Sequence, residues 1–199
     1  MHALSFASIV VVIAAGSTNF VLAESLTRLE RQRLVAHLEM TEQGLSDAIA
    51  GLSSAQLQFR PSAESWNILE VLEHLVVAEP IYWQDLRKAM AAPPDRSRRS
   101  GSDDSVLWYG IDRTQRQKAI PAEQPKRQLS DVREGWKAFH QLRAQMLEYA
   151  RTTQDDLRSH VVQRERCDAY QWFLLISTHA QRHTLQIREI KAHPDFPDR

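Results

Sequence analysis

Apolar side chains recur at intervals of three and four residues from Ser25 to about Gly51, and this spacing predicts a first amphipathic helix. The segment that follows is rich in serine, with a glycine and a proline, and predicts a loop with at most one short turn. A second helix begins near Ile68, because Asn67 and Glu70 have the form of a helix cap and its capping-box partner ahead of an apolar run.

The second predicted helix extends to about Met90 and contains Pro80, which removes one backbone hydrogen bond and predicts a kink. The third predicted helix follows a Ser130 cap and ends near Arg151, with apolar residues again at helical spacing. The fourth runs from Ala169 to about His193 without glycine or proline and stops at a proline. With no convincing strand among them, these elements predict an all-α fold, a four-helix bundle.

The connection between the second and third helices, residues 91–129, is long for a compact domain. It contains a basic run, interpreted as solvated loop, and an apolar cluster from Val106 to Tyr109. In a bundle, a connection of this length indicates a crossover between helices or a functional segment, and the apolar cluster indicates that part of it packs on the domain.

The N-terminal segment differs from the rest of the chain, because Ala3–Ala15 is an almost unbroken apolar run. Its length suits the core of a signal peptide and is short for a transmembrane helix, and Val21 and Ala23 occupy the two positions that a signal peptidase reads. We therefore predict a signal peptide over residues 1–23, a single domain over residues 24–199, and a periplasmic or secreted protein. The segment lacks Lys and Arg, so a retained anchor and a misassigned start codon, with a cytoplasmic protein, stay open as alternatives.

The charge of the chain is balanced, with 25 basic and 25 acidic side chains among 199 residues. This balance gives no support for binding nucleic acid or an anionic membrane surface, so neither is expected as a partner of the mature protein. The one cysteine, Cys167, excludes an intramolecular disulfide and a metal site made of two thiolates. A metal site would therefore use histidine and carboxylate ligands.

His179 and His183 lie four residues apart on the fourth predicted helix, so their side chains project from one face of it. Residues such as Trp172, Ile176 and Ala180 define the apolar face, and both histidines lie in its middle. Buried imidazoles require hydrogen bonds or a metal ion as partners. From these residues alone, hydrogen-bonded core histidines and metal ligands are equally good interpretations.

His74 is the third histidine that could join this pair. It lies in the second turn of the second helix, at the border of the apolar arc, from where it can lean toward the bundle axis. Taken singly, it is interpreted as a boundary histidine. Three imidazoles around a divalent ion would leave a coordination position for water or substrate, which is typical of a catalytic rather than a structural site.

Four segments of the sequence resemble the DinB-like superfamily of bacterial helical metalloproteins, which includes thiol-dependent S-transferases and a mycothiol-dependent isomerase. They are GLSSAQLQFRP, SWNILEVLEHL with His74, KAIPAEQPKRQLSDVREGWKAFHQLRAQML, and HAQRHTLQI with His179 and His183. The resemblance covers roughly Ser25 to Pro194. It implies an up-down-down-up four-helix bundle whose His74, His179 and His183 bind a divalent metal ion such as Zn, Ni or Fe.

Side chains near the trio receive their own assignments. Glu79 is a weak candidate for a general base or for a residue that hydrogen-bonds a metal ligand. The preferred interpretation is a side chain that hydrogen-bonds the backbone at the Pro80 kink or is partly solvated. No other catalytic residue is identified. Gln186 and Arg182 flank His183, and Gln186 could either hydrogen-bond a ligand imidazole or metal-bound water, or lie on the helix surface. Trp66 is interpreted as a packing anchor, with a substrate-facing aromatic as the alternative. Four further histidines are expected at the surface or its boundary: His37, His140, His160 and His193.

Together these features predict a metal-dependent enzyme, either a hydrolase or a thiol-dependent transferase, that acts on an unidentified small molecule. The main alternative is a metal-binding or interaction bundle without catalysis, and a homodimer is one candidate assembly. A haem-binding bundle is disfavoured, because the sequence lacks a C-x-x-C-H attachment motif and three clustered imidazoles suit a small ion better.

Overall fold

The computed structural model describes residues 26–95 and 101–198, so the predicted signal peptide over residues 1–23 lies outside the described residues. The described residues are mostly helical, which confirms the all-α prediction. Their α-helices are α1 Arg28–Ile49, α2 Ser54–Gln58, α3 Ile68–Ala91, α4 Asp103–Ile111, α5 Val132–Thr152 and α6 Ala169–Lys191. None of the helices in this part of the chain is both long enough and apolar enough to cross a bilayer.

The starts of α3 and α5 show how the sequence sets the helix ends. The Asn67 side chain accepts a hydrogen bond from the Glu70 backbone N–H, and the Glu70 carboxylate accepts one from the Asn67 N–H, as predicted. The predicted Ser130 cap of α5 is wrong by one residue: the Asp131 carboxylate accepts from the Arg133 N–H. α3 continues through its proline, and the kink there stays a prediction.

A short antiparallel hairpin, β1 Val161–Val162 and β2 Cys167–Asp168, precedes α6 and corrects the prediction that the chain has no strand. Each strand has only two residues, which is too short to show the alternation of apolar and polar side chains that marks a strand in a sequence. The hairpin nevertheless matters for the site, because its turn carries Arg164.

The four long helices pack in a ring, with α5 and α6 each packing against both α1 and α3. The apolar core has two clusters. One contains the first halves of α1 and α6 with the second halves of α3 and α5, and the other contains the opposite halves. This distribution is the one expected of an up-down-down-up bundle, although that order stays a prediction.

Buried polar side chains lie where these two clusters meet. They are Thr41 on α1, Glu79 on α3, Arg143 on α5, and Ser177 and His179 on α6. Burying polar groups is costly without partners, and the layer supplies them, since Thr41 bonds Ser177 and Arg143 bonds Glu79. It shares His179 with the predicted metal site.

The connection between α3 and α5 is partly helical, since α4 forms where the sequence shows its apolar cluster and lies along α6. The two helices approach closely at Gly110, where an added Cβ would lie 2.8 Å from Thr178 Cβ. Arg182 of α6 ties the end of this connection down, because its guanidinium donates to the backbone carbonyls of Tyr109 and Asp112. The predicted packing of the connection on the domain is therefore confirmed.

Candidate metal centre

Three histidine side chains from two helices meet at the centre of the bundle. His74 of α3 and His183 of α6 each direct Nε2 at Nε2 of His179, at 3.0 Å and 3.1 Å respectively. The three rings offer nitrogen atoms that all lie within 4.8 Å of one another, so the trio could hold a metal ion. The structure thus brings together the residues that the sequence analysis placed in one site.

The outer ring nitrogens of two of these histidines fix the tautomer of each ring. His74 Nδ1 donates to the backbone carbonyl of Glu123 at 2.7 Å. His183 Nδ1 donates to the side-chain carbonyl of Gln186 at 2.8 Å. Because a neutral imidazole carries one proton, both rings then present an unprotonated Nε2 to the cluster.

Two lone pairs therefore face the single Nε2 atom of His179. A proton on that atom could be donated to only one of the two neighbouring nitrogens. The lone pair of the other nitrogen would then have no hydrogen-bond donor. A cation in the middle accepts from all three nitrogens at once. Tetrahedral coordination with Zn–N distances of about 2.0–2.1 Å separates ligand nitrogens by roughly 3.3 Å. The spacings from His179 Nε2 to the other two Nε2 atoms, 3.0 Å and 3.1 Å, are close to this value. The donor set therefore fits a divalent ion.

The electrostatic environment keeps all three imidazoles neutral. Burial lowers the pKa of His74, although its bond to the Glu123 carbonyl acts in the opposite direction. Burial also holds the pKa values of His179 and His183 well below the ordinary histidine range, and the neighbouring imidazoles lower them further. Neutral imidazole is the form that binds a metal ion, so the folded chain is prepared for ligation at neutral pH.

Acidification should destabilise the metal-free protein as the pH falls below about 6.5, the ordinary pKa of a histidine in an unfolded chain. Below that pH the unfolded chain binds more protons than the folded chain, because the pKa values of the three imidazoles are lowered in the folded state. Glu79 acts in the opposite direction, because burial raises its pKa to about 7, but it is one group against the trio.

Urea unfolding of the chelator-treated protein at about pH 7.5 and about pH 5.5 measures this effect. We expect a lower free energy of unfolding at the acidic pH, and a smaller difference in a His179→Leu variant. A free energy that stays constant or rises on acidification would contradict neutral, buried imidazoles.

The histidine cluster lies within a region that is shared with known proteins. The sequence profile of the DinB superfamily matches residues 37–187, which include all three histidines. The chain belongs to the DinB superfamily. It is also similar to the uncharacterized protein YuaE of Bacillus subtilis (strain 168), with 30% identity over 153 residues, which are 72% of this chain and 88% of that protein. No solved structure matches the chain.

Two other side chains of this DinB-superfamily protein contact the trio. Gln186 takes the first of its two predicted roles, because it accepts the His183 Nδ1 hydrogen bond. Trp66 packs against the cluster, with its ring centroid 5.0 Å from that of His74 and 6.4 Å from that of His183. His183 is the partly exposed member of the trio.

Glu79 lies in the polar layer and not in the histidine cluster. Its carboxylate is 1% exposed and accepts a hydrogen bond from Arg143, which is 0% exposed, at 2.5 Å. The partly solvated side chain preferred from the sequence is therefore wrong, because the helix turns Glu79 into the core where α5 supplies a cation. Among the described residues, the hydrogen-bond partners of the cluster imidazoles do not include Glu79.

Four further histidines of the described residues lie apart from the trio. His37 is half-buried and bonds the Ser177 hydroxyl at 2.7 Å, and His140 is exposed and bonds Glu42. His160 donates to a backbone carbonyl of α3, and His193 packs on Phe59.

The structure also shows two site residues that the sequence analysis missed. Glu123, in a 3-10 turn at residues 121–123, supplies the carbonyl bound by His74. Tyr82 places its ring edge-on to His179, with 5.1 Å between the ring centroids. For Tyr82, a position two turns along the apolar face of α3 from His74 was a usable signal. For Glu123, in the middle of a long connection, the sequence offers none.

Proposed function

We propose that His74, His179 and His183 bind one divalent metal ion and that the protein is a metal-dependent enzyme, a hydrolase or a thiol-dependent transferase. The observation that carries this proposal is the convergence of two unprotonated Nε2 atoms on a third, at 3.0 Å and 3.1 Å. Hydrogen bonds among the three rings alone leave one of these contacts without a proton, whereas a cation would be bound by all three Nε2 atoms.

Some residues of the chain would bind the ion, and others would orient its ligands. The three imidazoles hold the ion through Nε2, and a bound divalent ion supplies Lewis acidity for hydrolysis or thiol transfer. The Glu123 carbonyl and Gln186 fix the rings of His74 and His183 in the binding tautomer. Three protein ligands leave room for a small-molecule substrate, which would reach the site beside the partly exposed His183.

A non-catalytic metal-binding bundle is the second candidate function. It is favoured by one observation: Glu79, the candidate base, is engaged by Arg143 in the polar layer. Glu79 is therefore not free to act as the base of a reaction at this centre. Export to the periplasm or the exterior, as the apolar N-terminal run predicts, remains part of the proposal, and so does a homodimeric assembly.

Activity assays on the purified protein reconstituted with Zn²⁺, Ni²⁺ or Fe²⁺ separate the two candidates. The probes are a panel of activated esters for hydrolysis, and chlorodinitrobenzene with cysteine, glutathione or mycothiol for thiol transfer. We expect one of these activities to appear with bound metal, to vanish on chelation, and to be absent from a His179→Ala variant. Stoichiometric metal without turnover of any probe would favour the non-catalytic bundle.

A further inference from the structure

Glu123 is a buried acidic residue in a segment that is otherwise exposed. The chain from Thr114 to Lys118 and from Gln124 to Gln128 is largely solvent-accessible, whereas Glu123 is 4% exposed. Burying a carboxylate is costly unless charged and hydrogen-bonding partners compensate. The burial of this carboxylate therefore indicates a specific structural or functional role.

Partners from two different elements hold the two carboxylate oxygens of Glu123. Tyr82 of α3 donates its hydroxyl to Oε2 at 3.0 Å. Arg164 of the β-hairpin donates to Oε1, and its guanidinium also lies 5.1 Å from the centre of the Tyr82 ring. Arg164 in turn pairs with Asp85, one turn further along α3. The side chain of Glu123 is thus fixed against α3 and the hairpin together.

Glu123 is connected to the histidine cluster through two sets of contacts. Its backbone carbonyl accepts the Nδ1 proton of His74 at 2.7 Å, which directs His74 Nε2 into the cluster. Its carboxylate holds the hydroxyl of Tyr82, whose ring packs edge-on against His179. One residue of the connection therefore contacts a ligand directly and fixes the packing partner of a second ligand.

We propose that Glu123 is a positioning residue for the metal centre: its carboxylate, clamped by Tyr82 and Arg164, holds its own carbonyl at His74 so that Nε2 faces the ion. The effect on metal affinity rests on the proposed function. The orientation of the His74 ring does not depend on it. Groups that hold the second nitrogen of a ligand histidine commonly change metal affinity about 10–100-fold when removed.

The clamp is separate from the contacts that attach the rest of the connection. Beyond Glu123, the backbone N–H groups of Lys126 and Gln128 both donate to Oε1 of Glu73, at 3.0 Å and 3.1 Å. Arg127 between them has a φ of 59°, a left-handed conformation that wraps the turn around the carboxylate, and it pairs with Glu70. A change at Glu123 should therefore alter its own turn while the segment after it stays on α3.

The test uses the full mature chain with Glu123→Ala and Arg164→Met, since the second variant removes the clamp but leaves the carbonyl-bearing residue intact. Glu39→Gln is the matched control, because it breaks an exposed ion pair with Arg151. The first readout is the tautomer of His74 in the metal-free protein, from the nitrogen-15 shifts of the imidazole. The second is the Zn²⁺ affinity by chelator competition, with the Co²⁺ absorption spectrum as a check on ligand geometry.

We expect the parent and Glu39→Gln to show His74 with its proton on Nδ1, and both clamp variants to show a mixture of tautomers. Zn²⁺ affinity should fall about 10–100-fold in the clamp variants, with an altered Co²⁺ spectrum. If both variants keep a single Nδ1–H tautomer and an affinity within about twofold of the parent, the positioning role is overturned. If the parent binds no metal but the tautomer shifts as expected, the proposed function fails and the positioning of His74 stands.

Discussion

Replacing any one of His74, His179 and His183 with alanine should lower the affinity for Zn²⁺ by more than about 100-fold, since loss of a supporting group alone costs about 10–100-fold. The Nε2 atom of His179 lies 3.0 Å and 3.1 Å from those of His74 and His183, so all three rings are expected to bind the ion. The loss should be largest for His179, whose nitrogen faces both of the others. Chelator competition or calorimetry with Zn²⁺ measures the effect.

A second alanine should then subtract less than its separate effect, because ligands of one site are not independent. His140→Ala is the control, since His140 is exposed and bonds Glu42 on α1, and it should leave affinity unchanged. If His74→Ala kept full affinity and metal count while the other two variants lost them, the three-histidine site would be wrong. The pair on α6 would then bind with some other group.

Replacing Arg143 with methionine should lower the free energy of unfolding by about 3–5 kcal/mol, the usual cost of breaking a buried ion pair on one side. The change leaves Glu79 in the core without its cation, at a site where its carboxylate is 1% exposed. The pKa of Glu79 is already raised to about 7 by burial despite Arg143. Without that arginine it must take up a proton to stay buried, so the destabilisation should grow as the pH rises.

The matched variant is the double replacement of Glu79 with leucine and Arg143 with methionine. Arg143 Nε and Nη1 and Glu79 Oε2 have no hydrogen-bond partner among the described residues, so the pair is incompletely satisfied. Replacing both residues should therefore recover most of the lost stability, as apolar replacements of buried pairs often do. Urea unfolding of both variants decides this, and an Arg143→Met protein as stable as the parent would show that the pair is dispensable.

The histidine pair on α6 could be predicted from the sequence because two local patterns agree there. The apolar stripe of α6 runs through Trp172 and Ile176 to Ala180, all buried, and its phase fixes the direction of His179 and His183. His74 needed the resemblance to the superfamily, because a helix border position alone does not choose between solvent and core. The helix boundaries were predicted to within a few residues by their caps and breakers.

Arg143 was missed for a reason that its helix makes clear. The apolar residues that predict α5 include Phe139 and Met146, which are buried, and Arg143 is buried on the same stripe between them. Arginine is rarely buried without a partner, so hydrophobic periodicity treats it as a surface residue. Its partner Glu79 lies on another helix, and only the packed bundle brings the two together.

Glu123 could not be predicted, because its role depends on where a long connection crosses α3. The sequence shows an acidic residue between two prolines, and nothing local distinguishes it from its exposed neighbours. Contacts between residues separated by 41 or 49 positions, as with Tyr82 and His74, are set by the tertiary fold. The same holds for Arg164, whose two-residue strands carry too little pattern to be recognised.

X-ray absorption spectroscopy of the Zn²⁺-loaded protein, with the metal content measured on the same sample, tests the three-histidine site most directly. It reports the number, type and distance of the atoms around the ion. We expect one ion per chain with three imidazole nitrogens at about 2.0–2.1 Å and a remaining light ligand. An ion coordinated by oxygen alone, or a protein that retains no ion after dialysis, would contradict the site formed by His74, His179 and His183.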